Sequence, residues 1–221
     1  ARQFGKINVN RFFKALDGYP EIATVTKDPN QKSNIGGLWH TDHSYDAEPA
    51  KGSLLYAREV PEVGGDTMFS SMYAAYDALS DGLKRTLAGL KAVHSSRHVF
   101  GASSRALTEG DLKGRLLNPE LATQDSVHPV VITHPETGRK ALYVNPNFTV
   151  RIEGWTEEES AALLDYLYRH AVRPEFTCRF RWQVGSLAFW DNRSTWHLAL
   201  NDYHGNRREM HRITLDGTAL S

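Results

Sequence analysis

Cysteine is almost absent: Cys178 stands alone among 221 residues, so no internal disulfide can staple the fold and a reducing cytoplasm is the default setting. Long apolar runs are missing as well. No stretch of about 18 apolar residues occurs, and the opening ARQFGKINVN lacks the apolar core of a secretory signal, which argues against membrane insertion and export. Nor is there an excess of charge of either sign. The 26 Lys+Arg balance 26 Asp+Glu at a pI near 7.4, which removes any overall attraction to nucleic acid or an anionic membrane. Internal repeats and low-complexity tracts do not stand out. What remains is the composition of an ordinary folded domain, 40% hydrophobic and 24% charged. The length suits one domain with a substantial core, set against a prior of roughly 100–200 residues per domain. We read residues 1–221 as a single domain. Because the chain starts in mid-pattern at Ala1, an N-terminal segment is expected to precede it; homo-oligomerisation is left open.

Strand-like runs dominate both ends, with helices between them. GSLLYAREV (52–60) reads as a buried strand, followed by the turn PEVGGD and a short apolar run at Met68 and Phe69. Ser70 or Ser71 can cap MYAAYDAL, and DGLKRTLAGL follows with Leu83, Leu87 and Leu90 at helical spacing. Residues 101–127 form a long polar segment without periodicity, a candidate lid. HPVVITHPETGRKALYVN (128–145) reads as a hairpin, and Thr156 with Glu159 forms a capping box before SAALLDYLYRHAV. Phe176, Cys178, Phe180 and Trp182 alternate with polar residues as a half-buried strand would; SLAFWDN and EMHRITLDG look like two more strands. The pattern is mainly β with helical insertions, and it fits a sandwich or jelly roll better than a parallel α/β sheet.

One stretch concentrates chemistry. WHTDHSYD (39–46) places two histidines and two acids within eight residues, directly after the flexible pair Gly36-Gly37. On an extended backbone His40 and Asp42 point to the same side, so an imidazole and a carboxylate can be offered together. One further histidine would complete a facial triad of two His and one carboxylate, which leaves three adjacent metal positions open. A His-x-Asp triplet alone is common by chance in a chain with ten histidines, and a solvated polar loop is its bland reading. The C-terminal stretch SLAFWDNRSTWHLALNDYHGNRREMHRITLDG adds His197 just past a strand, with Arg207, Arg208 and Arg212 after it.

Taken together, WHTD, GGDT, HPVV.THP.TG..ALYVN, WDNR.T.H and NDY..NRR.MHR resemble, in order and spacing, the taurine dioxygenase and 2,4-dichlorophenoxyacetate dioxygenase family of Fe(II)/2-oxoglutarate enzymes. The resemblance implies a double-stranded β-helix, with His40, Asp42 and His197 as iron ligands. It also implies that Thr67 and Arg208 bind the cosubstrate 2-oxoglutarate, and that Arg212 faces the anion of the prime substrate, the compound hydroxylated with O2. A guanidinium fork suits the distal carboxylate of 2-oxoglutarate, and Thr67 would add a hydroxyl donor. Arg207 should then point the opposite way along the strand, to solvent or an acidic neighbour. Phe100 and Phe148 correspond to aromatic positions flanking the substrate. Where taurine-oxidising relatives hold their small zwitterion, this chain has Asn10, Phe13 and Gly36. A roomier, more apolar pocket is therefore expected, suited to an aryloxyalkanoate-like carboxylate, with alkyl sulfonates or sulfate esters next.

The remaining candidates carry quieter readings. His43 and Asp46 are expected to face away from the metal or to sit behind it, and Asp191 to support the loop that carries His197. Trp190 and Phe69 are core residues by default. His94, His98, His128, His134, His170 and His204 have no partner at ligand spacing, and His211, on the strand that the resemblance implies, is expected to be structural. Two other functions compete: a zinc hydrolase on the same His40, Asp42 and His197 set, which lacks an obvious general base and leaves Thr67 and Arg208 idle, and a non-catalytic binding sandwich in which the triad is coincidence.

Overall fold

The computed structural model describes the whole chain except residues 103, 105–110 and 113. It opens with three strands, β1 (Ile7–Asn8), β2 (Ala15–Leu16) and β3 (Tyr19–Lys27). After a long irregular stretch come β4 (Gly52–Glu59) and β5 (Thr67–Ser71), then α1 (Met72–Asp77), α2 (Asp81–Leu87), β6 (Lys91–Ser95) and the short α3 (Arg97–Phe100). Next follow β7 (Asp125–Pro129), β8 (Val131–Thr133), β9 (Lys140–Leu142), β10 (Thr149–Ile152) and α4 (Glu157–Ala171). The last part is β11 (Thr177–Phe180), β12 (Leu187–Asp191), β13 (Thr195–Ala199) and β14 (Arg208–Leu215). The fold is mainly β with few helices.

Local chemistry explains the helix boundaries. The Ser71 hydroxyl accepts the Ala74 amide and the Ser80 hydroxyl accepts that of Leu83, so each helix begins on a satisfied amide. On α4 the Thr156 hydroxyl accepts from the Glu159 amide while the Glu159 carboxylate accepts from the Thr156 amide, the expected reciprocal box. Its apolar stripe buries Leu164 and Leu167 in a core shared with Met72, Ile132, Leu142 and Ile152, each leucine contributing about 1.5–3 kcal/mol on burial. No helix among the described residues is long and apolar enough to cross a membrane.

The strands position the site. The largest sheet runs β12-β4-β14-β3-β2, antiparallel throughout, with β1 also paired to β14; a second runs β11-β5-β13. The two sheets share a core of Leu55, Trp182, Trp190 and Met210 with Phe69 and Phe180 packed on it. On β14, burial alternates with period two: Arg208, Met210 and Arg212 are buried while Glu209, His211 and Ile213 are only partly so. Both arginines therefore leave one face, four residues apart. On β13, His197 lies opposite Phe69 of β5 and Ala199 opposite Thr67.

Four expectations change. Residues 42–46 are turn and bend rather than extended strand, with His43 at φ +58°. His197 lies inside a strand, not in a loop after one. Over 176–182 only Thr177–Phe180 is strand; Phe176 sits in a 3-10 turn, and Cys178 is exposed. The candidate lid, 101–127, holds a 3-10 turn at Pro119–Leu121 and ends inside the strand Asp125–Pro129, while residues 103, 105–110 and 113 of that lid lie outside the described residues.

Candidate metal and cosubstrate site

An isolated antiparallel bridge joins the two histidines: the His40 amide donates to the His197 carbonyl at 3.1 Å and the His197 amide returns the bond at 2.8 Å. Reciprocal bonding sets the two Cα atoms opposite one another and leaves their rings side by side, 4.1 Å between centroids. The His40 Nδ1–H donates to the Leu38 carbonyl at 2.7 Å, which turns the Nε2 lone pair inward. Gly36, at φ +78°, allows the preceding loop to lie over this ring; a Cβ there would meet His40 Cε1 at 3.4 Å. Asp42 Oδ1 stands 3.7 Å from His40 Nε2 and 3.8 Å from His197 Nε2. Ligand atoms from all three residues fit within 4.8 Å of one another, and all three are buried. The turn at residue 42 thus does what an extended strand was expected to do.

Electrostatics puts each group in its ligating state. Burial pushes the His40 and His197 imidazoles below their ordinary value, His197 far below, so both are neutral at neutral pH. Burial alone would push the Asp42 carboxyl up, but neighbouring positive charge outweighs it and holds the group far below the usual carboxylate range. With both imidazoles neutral, the cation responsible is Arg212, whose Nη2 lies 2.6 Å from Asp42 Oδ2. Two neutral nitrogens and one anionic oxygen on one side of a dry site fit a divalent metal that keeps open positions.

These residues sit at one wall of a cavity of about 500 Å³. Thr67, Arg208 and Arg212 line it, as do Phe13, Phe100 and Phe148. Arg208 is buried, and its Nε and Nη2 have no hydrogen-bond partner among the described residues; burial lowers its pKa. Unpaired buried guanidinium nitrogens are costly, and a carboxylate ligand would satisfy them. The Thr67 hydroxyl accepts from Trp182 Nε1 at 3.0 Å, which leaves its own proton for an incoming acceptor. Next door, Arg207 points the other way onto Glu59, Glu209 and Asp28, as alternation requires. Phe13 packs under the Arg212 guanidinium, 5.7 Å from ring centre to Cζ, and Phe100 stacks with Phe12. Asn10 and Gly36 line the cavity as well.

Several residues play parts that the sequence did not announce. His43 is buried and lines the cavity, because its left-handed backbone turns it inward; its Nδ1 lies 3.1 Å from Asp46, which accepts two bonds from Arg11. It is not within the metal-ligating cluster. Asp191 does not touch a ligand: its carboxylate accepts from Arg193 and lies 3.0 Å from His134 Nε2, tying down the turn into β13. Asn192 and Ser53, each read as part of a strand-like run, form a buried polar pair beside Asp42. A serine inside GSLLYARE, flanked by apolar residues destined for the core, was the available signal.

Comparison with known proteins agrees with this geometry. The chain is 40% identical over 190 residues to an alkylsulfatase of Acinetobacter baylyi, covering 85% of this chain and 59% of that protein. It is 37% identical over 180 residues to the alpha-ketoglutarate-dependent 2,4-dichlorophenoxyacetate dioxygenase of Cupriavidus pinatubonensis, covering 80% of this chain and 59% of that one. The chain thus spans about three fifths of the length of these curated relatives. The crystal structure of a taurine dioxygenase from Burkholderia xenovorans superposes with a TM-score of 0.79 at 36% identity, covering 99% of this chain and 71% of that one. A family model for the taurine catabolism dioxygenase TauD, TfdA family matches residues 1–214, and the chain belongs to that family.

Proposed function

We propose that this chain is the catalytic part of an Fe(II)- and 2-oxoglutarate-dependent dioxygenase that hydroxylates a C–H bond of a small organic anion, releasing succinate and CO2. The observation that carries the reading is the pairing, in one cavity, of a buried His40, Asp42 and His197 cluster with an Arg208 fork whose nitrogens lack partners. Ferrous iron held by His40, Asp42 and His197 would supply the O2 activation that couples decarboxylation of 2-oxoglutarate to hydroxylation. Arg208 and Thr67 would bind the distal carboxylate of the cosubstrate by a charged fork and a hydroxyl. Arg212 would hold the anionic end of the substrate, and Phe13, Phe100 and Phe148 would exclude water around the carbon to be attacked. Aryloxyalkanoate-like carboxylates, alkyl sulfonates and sulfate esters all suit an apolar chamber with one anion-binding arginine. Hydroxylation beside the ether, sulfate or sulfonate gives a product that collapses to a carbonyl and a released anion.

The zinc-hydrolase alternative is not supported, since it gives no use to Arg208 or Thr67 and the relative named for a cosubstrate is named for alpha-ketoglutarate. A single-domain double-stranded β-helix is our reading of the two packed antiparallel sheets, supported by the superposition on a dioxygenase of 36% identity. The test is anaerobic titration with Fe(II) and 2-oxoglutarate. A visible charge-transfer band is expected to appear with both present, to shift as an accepted anion is added, and to vanish in Asp42→Ala. Turnover with Zn(II) under nitrogen and no band with Fe(II) would overturn the proposal.

A further inference from the structure

The side chains behind Asp42 form a chain of hydrogen bonds whose direction can be worked out donor by donor. Trp190 Nε1 can only donate, and it does so to Asn192 Oδ1 at 2.8 Å. That fixes the Asn192 amide, so its Nδ2 faces Ser53 Oγ as a donor at 3.2 Å. Arg212 Nη2, also a donor only, approaches the same oxygen at 3.4 Å. With both lone pairs of Ser53 Oγ directed at donors, its one proton goes to Asp42 Oδ2, 2.7 Å away. Arg212 Nη2 reaches Oδ2 too, at 2.6 Å. One oxygen of the carboxylate is therefore doubly engaged from behind, and the other, Oδ1, is the one that faces His40 and His197. Ser53 and Asn192 are buried, so water cannot stand in for either link. The Asn192 carbonyl also accepts from Thr41, which sits between the two ligands of the motif, and the Trp190 ring packs 4.8 Å from that of His197.

Resting on the metal-site reading above, we infer that Ser53, aimed by Asn192 and Trp190, is a positioning residue that makes Asp42 a one-oxygen ligand. A carboxylate free to swing its second oxygen forward would occupy one of the adjacent positions that a chelating cosubstrate needs. The Ser53 hydroxyl prevents this, since turning Oδ2 toward the metal would break a buried bond and leave both the Ser53 proton and Arg212 Nη2 without their acceptor. The relay also explains why an asparagine follows Asp191: an aspartate there could not donate to Ser53 and would add a second buried negative charge.

The experiment is Mn(II) binding to the metal-free full chain, read from the electron paramagnetic resonance signal of free Mn(II), with 2-oxoglutarate affinity then measured on the Mn(II)-loaded protein. Ser53→Ala is expected to weaken Mn(II) about 10- to 100-fold, the usual cost of losing an outer-shell partner. Ser53→Thr, which keeps the hydroxyl, is expected to restore most of it. Trp190→Phe removes the N–H that sets the direction and is expected to weaken Mn(II) by about 2- to 10-fold. Because the relay ends on Ser53, the double variant should bind no more weakly than Ser53→Ala alone. Wild-type affinity in Ser53→Ala, losses that multiply in the double variant, or a threonine variant as weak as alanine would each overturn the relay. Should Ser53→Ala not fold, Trp190→Phe decides alone, and unchanged Mn(II) affinity in it counts against the inference. A wild-type chain that binds no Mn(II) would sink the metal-site reading, and this inference with it.

Discussion

Replacing Arg208 by methionine separates a residue that builds the fold from one held ready for a ligand. Its guanidinium is buried on β14, with Nε and Nη2 lacking partners among the described residues, and burial depresses its pKa. Desolvating a cation without a close counter-charge opposes folding, and exchanging a buried ionic group for an apolar one of similar volume commonly stabilises by about 1–4 kcal/mol. Arg208→Met should therefore raise the melting temperature of the ligand-free protein, by roughly 2–4 °C for each kcal/mol at this chain length. On the proposed cosubstrate role of Arg208, the same substitution would remove two charge-assisted bonds worth about 1.5–3 kcal/mol each, so 2-oxoglutarate should bind roughly two to four orders of magnitude more weakly. The assay is a thermal melt under nitrogen with Fe(II), with and without the cosubstrate. In the wild type, 2-oxoglutarate at a hundred times its Kd should stabilise by about 2.7 kcal/mol, a rise of roughly 5–11 °C. In Arg208→Met at the same concentration the rise should disappear while the baseline goes up. A lowered baseline with the ligand response intact would refute the argument, because it would make Arg208 a structural cation whose partner lies elsewhere.

Three further outcomes follow from the same site. Asp42→Ala should abolish metal binding and also lower the metal-free melting temperature, since breaking the buried pair with Arg212 costs about 3–5 kcal/mol; unchanged stability by calorimetry would mean that the pair is not formed in solution. Trp182→Phe should weaken 2-oxoglutarate by about 2- to 12-fold, because the Thr67 hydroxyl loses the donor that aims its proton and a neutral bond is worth about 0.5–1.5 kcal/mol; equal affinity in a spectroscopic titration would remove Thr67 from cosubstrate binding. The metal-free chain should lose stability as pH falls below the ordinary histidine value of 6.5, since burial lowers His40, His94, His128 and His197 in the folded state and the unfolded chain takes up the protons they refuse. Each such histidine contributes a slope of at most about 1.4 kcal/mol per pH unit, and only between its unfolded and its lowered folded value, and equal melting temperatures at pH 7.5 and 5.5 would contradict the buried, neutral assignment.

How much of this was legible in the sequence depends on the range of the interaction that decides each feature. Capping is decided within four residues, and Ser71, Ser80 and the Thr156–Glu159 box are where their letters put them. Alternation on a strand is decided within two, so Arg207 and Arg208 part company as expected. The turn at 42–45 belongs to a different class. Its letters favour neither strand nor turn, and the chain bends because His43 takes a left-handed conformation and its ring packs on Tyr45 and bonds to Asp46. The strand status of His197 rests on its pairing with Phe69, 128 positions away, and Ser53 meets Asn192 across 139. Single-sequence periodicity contains no information on such pairs, whereas the order of motifs in a family does, which is why His197 could be named as a candidate ligand beside His40 and Asp42 although its strand could not. The relay behind Asp42 escaped both routes: serine and asparagine are too common to mark a motif, and nothing local aims them at one another. A site of this kind is legible in its ligands, whose chemistry restricts the choice of residue, and opaque in its supports, where almost any donor would serve and only the folded chain says which one does.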